Sequence, residues 1–177
     1  MAGFRIRNFV LPPNLLRLIE VLLSVIAVCL VTGWRSEGFS YNDLNRSDFN
    51  VLHNLQYFVG MSTLTFLSVA VLCLIVLIKP VYLSPLVDMI LNAALSLLLF
   101  IAAIVLCVSI THLGESTAVK EADLTFSSLE GAVALGFICA LALGGSGWFA
   151  FQTHRRRSDL PLNQTHTNAD LPGDIPT

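Results

Sequence analysis

Charge is the scarcest ingredient of this sequence. Of its 177 residues only 12% are Asp, Glu, Lys or Arg, roughly half the ~25% common in soluble domains. A soluble chain of this length needs more charge to cover its surface. An ordinary soluble enzyme and a disordered chain are therefore both excluded. The net charge of −2 offers no basic excess, so nucleic acid is excluded as a partner. Cysteine is scarce too. Cys29, Cys73, Cys107 and Cys139 stand singly, with no C-x-x-C pair, so neither a zinc site nor a disulfide framework is indicated. No nucleophile–base arrangement or metal-ligand spacing occurs, and His53 and His112 are too few to hold a metal. Gly144-Gly145-Ser146-Gly147 lacks the lysine and the preceding strand of a phosphate loop and reads as a flexible helix end. The expectation is a non-enzymatic chain with no catalytic residue, cofactor or metal.

What is abundant is apolar sequence. Hydrophobic residues make up 55% of the chain and the mean hydropathy is +0.74. A bilayer core of ~30 Å takes about 20 apolar residues as a helix. Four segments meet that length, at about 15–34, 57–78, 86–111 and 129–151. In lipid the backbone must satisfy its own hydrogen bonds, so each is read as a helix. The alternating ~10-residue segments of a β-barrel are missing. The fold class is all-α, an integral membrane four-helix bundle. Residues 1–13 form a short N-terminal segment, 14–151 the four-span domain and 152–177 a polar tail expected to be disordered. The first apolar run is longer than a signal-peptide core and is expected to be a retained anchor. Trp34, Tyr57 and Trp148 suit the membrane interfaces.

An even number of spans puts both termini on one side. That side carries Arg5, Arg7, Arg17, Lys79, Arg155, Arg156 and Arg157, whereas the other carries Arg35, Arg46 and Lys120. The positive-inside rule makes both termini cytoplasmic, in a plasma or vesicle membrane. The outer loops, about 35–56 and 112–128, contain no cysteine, so no loop disulfide forms. This excludes the claudin, tetraspanin and connexin patterns. All four cysteines fall inside spans, where they read as small core residues. Asn45-Arg46-Ser47 makes Asn45 a candidate glycosylation site; Asn163-Gln164-Thr165 lies in the tail, away from the glycosylation machinery.

Few ionisable groups enter the spans, and such groups are functional candidates. Arg17 and Glu20 are three residues apart on one helix face, with Glu20 about 7 Å deep at 1.5 Å per residue. Either they pair at the headgroup boundary with Arg17 snorkelling, or Glu20 engages another helix. Asp88 and Asn92 share a face at i, i+4. Asp88 either complements the positive end of its helix or joins Glu20 and Asn92 in a polar cluster that fixes helix register. A proton or ion path is a third arrangement, for which the second span offers only Ser62, Thr63, Thr65 and Ser68. In the fourth span Ala132, Gly136, Ala140 and Gly144 recur every four residues, a small-residue stripe that lets a helix approach closely. That helix belongs to the same chain or to another copy.

The run from Leu11 to Ser24, with prolines and Arg17 before an early Glu20, resembles the first span of MARVEL-domain proteins. The short second link and Asp88 early in the third span resemble that family as well. The likeness extends over about residues 10–155 and is nearest the small, loop-poor members. It implies a role in membrane apposition: vesicle transport, membrane fusion including cell–cell fusion, or lipid-domain sorting. Membrane lipids, a homo-oligomer and other membrane proteins are the expected partners. The competing readings are a cell-junction or adhesion component, and a small channel or transporter subunit using Glu20 and Asp88.

Overall fold

Four long helices form because four apolar runs have no other way to satisfy their backbones in lipid. The computed structural model describes residues 12–46, 49–78 and 84–158. Its long helices are α1 (Pro12–Thr32), α2 (Leu52–Ile78), α3 (Pro85–Glu115) and α5 (Ser127–Ser158), with the short α4 (Thr117–Glu121) between the last two. All four long helices are long and apolar enough to cross a membrane. Neighbouring pairs are α1 with α2, α2 with α3, α3 with α5, and α5 with α1, so the bundle is a closed ring with α5 completing it. Outward faces are covered with large apolar side chains, up to Leu141 at 73% exposure, as lipid contact requires.

α3 starts at Pro85 with Ser84 as its extended cap residue, because proline lacks the N–H that would be orphaned there. α5 runs unbroken through Gly144-Gly145-Ser146-Gly147, which corrects the expectation of a flexible helix end there. In lipid, breaking the ladder would strand backbone groups, and these glycines instead admit neighbours. A Cβ at position 145 would lie 3.5 Å from Leu16, and one at 147 would lie 3.6 Å from Asn92. The helix also continues through 152–158, a stretch expected in the tail, with Arg155 and Arg156 near its negative end. Residues 159–177 and Asn163 lie outside the described residues, as do Arg5, Arg7, Lys79 and Ser47 of the Asn45 sequon.

The first outer loop is more ordered than its composition suggests. Arg35–Ser36 pairs antiparallel with Phe39–Ser40, and Asn45–Arg46 with Phe49–Asn50, flanking a 3-10 turn at Tyr41–Leu44. The first hairpin turns through Glu37 (φ 45) and Gly38 (φ 84). Positive φ at both central positions matches the strand twist of a two-residue hairpin, and glycine takes it without strain. The loop then caps the core. Leu44 is fully buried, and Trp34 stacks on Phe126 at 5.7 Å while its indole N–H donates to the Thr125 carbonyl at 2.9 Å. Trp34, at 2% exposure, is thus a core residue and not part of an interfacial belt; Tyr57 and Trp148, the latter 59% exposed, do face outward. Of the cysteines only Cys139 is buried, whereas Cys29 and Cys107 are exposed on lipid-facing surfaces, where a small weakly polar thiol is tolerated.

Candidate functional site

The early turns of α1 and α3 and the late turns of α5 lie at the same end of the bundle, and the ionisable residues of the spans meet there. Arg17 is 6% exposed and donates through Nη2 to Asp88 Oδ2 at 2.5 Å, joining α1 to α3. Asn92, fully buried, donates through Nδ2 to Asp88 Oδ1 at 2.9 Å and to the Asp88 carbonyl at 2.8 Å. The Asp88 carboxylate is thereby held between a guanidinium and an amide. One turn along α1, Glu20 is also fully buried and accepts a hydrogen bond from the Ser146 hydroxyl on α5 at Oε1, 2.5 Å away. The Glu20 carbonyl accepts from Ser24 at 2.8 Å and lies 3.6 Å from the Cys139 thiol. Ser24 and Cys139 are themselves 3.3 Å apart.

The structure thus places Arg17, Glu20, Asp88 and Asn92 in one buried cluster tying α1, α3 and α5. The boundary arrangement, with Arg17 reaching up to lipid phosphate, is not the one adopted. The physical reason is the partner: a charge turned inward against a carboxylate is compensated within the protein, where an outward one depends on snorkelling. Asp88 also lies in the first turn of α3, at the positive end of that helix. Arg17 Nε, Glu20 Oε2 and Asn92 Oδ1 are buried without partners. Each such atom costs about 1–3 kcal/mol, so the cluster is specific at some expense of stability. Ser146 was missed by reasoning from sequence. Its only signal was a lone hydroxyl among glycines on a helix that packs against α1.

The small-residue stripe lies inside the chain for most of its length. Ala132 and Ala140 are buried, and a Cβ on Gly136 would come within 2.8 Å of Phe58 and 3.3 Å of Ala103. Ser96 on α3 donates to the Ala140 carbonyl at 2.7 Å across this close approach. Gly144 departs from the rest: it is exposed, at the edge of a groove between α3 and α5. Asn45 is exposed on the first outer loop. His53 and His112 are not brought together; His112 lies 4.0 Å from Glu115, and no three metal-type side chains cluster among the described residues.

Four apolar spans packed in a ring, with their few charges turned against one another, define a multi-pass membrane protein. The sequence matches the MARVEL family, a membrane-associating domain, over residues 9–149, and the chain belongs to that family. No curated protein and no solved structure matches it.

Proposed function

We propose that this protein is a non-enzymatic organiser of membrane apposition, acting in vesicle traffic, membrane fusion or lipid-domain sorting, with both termini in the cytoplasm. Its membrane is the plasma membrane or that of a vesicle. The observation that supports this reading is how the polar groups of the spans are used. Arg17 and Asn92 are engaged with Asp88, and Ser146 with Glu20, at one end of the bundle. The other buried hydroxyls of the spans, Ser24, Ser62, Thr65 and Ser109, carry no charge, and Phe58, Leu99, Ala103 and Leu106 fill most of the core around them. The surface offered outward is apolar and suited to lipid and to other spans.

The test is a tagged chain in cells combined with its removal. Tags at both ends should bind antibody only after permeabilisation, and loss of the protein should impair vesicle delivery or fusion without changing membrane conductance. A tag labelled on intact cells would overturn the topology. A conductance carried by the purified chain in planar bilayers and abolished by Glu20→Gln would overturn the organising role in favour of a channel.

A further inference from the structure

Between α3 and α5, at the end bearing the termini, a groove of about 570 Å³ opens on the lipid-facing surface. Met89, Ala93 and Phe100 form its α3 wall, and Gly144, Trp148 and Phe151 its α5 wall. Its size falls within the ~300–1,000 Å³ of ligand clefts. It exists because Gly144 brings no side chain to the α5 surface, while Trp148 stands 59% exposed and forms the rim. Trp148 and Phe151 are in ring contact at 5.7 Å, which fixes that rim.

Arg155 completes this face. At 3.6 residues per turn it points within about 20° of the mean direction of Gly144, Trp148 and Phe151, and it lies one turn, about 6 Å, beyond Phe151. Arg156 points more than about 100° away from that direction. Arg155 is exposed, and the ion pairs of the described residues, Arg17 with Asp88 and His112 with Glu115, leave it out. Asp88, the carboxylate beside Met89, is already held by Arg17. An apolar slot inside the bilayer that ends under an unpaired cation at the surface has the polarity of one kind of molecule: an acyl chain carrying an anionic head.

We propose that the α3–α5 groove is a binding site for an anionic glycerophospholipid, with an acyl chain against Ala93, Phe100 and Gly144 and the net-negative headgroup at Arg155. Only the choice of leaflet rests on the cytoplasmic placement of the termini proposed above; that leaflet is the one rich in anionic lipid.

The test uses the full chain purified in mild detergent, with lipid retention read by native mass spectrometry. The probes are phosphatidylserine and phosphatidylcholine of identical chains, with cholesterol as a third. The unaltered protein should retain phosphatidylserine over phosphatidylcholine. Arg155→Gln should reduce that preference about fivefold, the worth of one cation near an anionic surface, and Arg156→Gln should change it less than twofold. Ala93→Phe, at an exposed position that fills the groove, should reduce retention of both phospholipids; Leu97→Trp, at another residue lining the groove, serves if that variant unfolds early. Equal losses from the two arginine variants would reduce the site to a diffuse basic surface and overturn the proposal. So would preferential retention of cholesterol, or unchanged retention after filling the groove. The assay needs no cell, so its failure leaves the membrane-organising role standing, and failure of the cell assay leaves the groove intact.

Discussion

The two ends of the bundle are held by different physics. At the end bearing the termini, Arg17, Glu20, Asp88, Asn92 and Ser146 meet in a buried polar cluster with three unpartnered atoms. At the loop end, Trp34, Leu44, Leu55, Leu113, Leu124, Phe126 and Leu129 form an apolar core roofed by the first outer loop. Apolar contact is indifferent to register, since lipid tails are as apolar as leucine. A guanidinium on α1 that must meet a carboxylate on α3, and a carboxylate on α1 that must meet a hydroxyl on α5, define which helices are neighbours and at what height. The polar end therefore specifies the arrangement and the apolar end supplies contact area.

The sharpest way to break this contrast is to remove one partner of the buried ion pair. Arg17→Leu leaves Asp88 without its counter-charge, and losses of roughly 3–5 kcal/mol follow when a buried pair is broken from one side. Thermal unfolding in mild detergent should show a large fall in midpoint. The double variant Arg17→Leu with Asp88→Leu should regain most of that loss, because replacing both charges by apolar side chains is often neutral. If the cluster specifies register, that double variant should be stable yet show altered cysteine crosslinking between α1 and α3. Equal instability of single and double variants would show that the charges contribute stability in their own right.

Gly136, midway between the two ends, gives the next largest effect. Its absent side chain is what lets Phe58 and Ala103 approach α5. Gly136→Leu overfills that contact, at a cost of typically 1–3 kcal/mol. Reduced thermal stability and retention in the endoplasmic reticulum should result, because the contact lies within one chain. A stable variant that loses only a crosslinked dimer would instead place this surface between copies.

How much of this was legible follows the same division. Span number and helical class came from length and hydropathy, because lipid leaves the backbone no alternative. Arg17, Glu20, Asp88 and Asn92 could be singled out because charge in a span is rare. Whether they met one another was not legible, since a snorkelling arginine and a paired one have the same local sequence. Ser146 and the continuity of α5 through its glycines were hidden for a related reason: what those residues touch is on α1 and α3, far along the chain. The burial of Trp34 depended on the loop hairpins, whose two-residue strands are too short to show any alternation. Its aromatic character alone pointed to the interface.

The apolar end can be probed by a change that removes one hydrogen bond and little else. Trp34→Phe keeps an aromatic ring against Phe126 but deletes the indole N–H that reaches the Thr125 carbonyl at 2.9 Å. A neutral hydrogen bond is worth about 1 kcal/mol net, and the smaller ring adds a modest packing loss. If area dominates this end, the unfolding midpoint should fall only slightly, well short of the drop from Arg17→Leu. Local opening should be selective: amide exchange at Thr125 and Phe126 should accelerate, while α1 near Glu20 stays protected. The tie is local because the Thr125 backbone N–H also donates to the Ser36 hydroxyl oxygen at 2.9 Å, a second link between the same two loops. Faster exchange at both ends of the bundle would mean that the roof and the polar cluster open together, and that the two ends do not act as separate units.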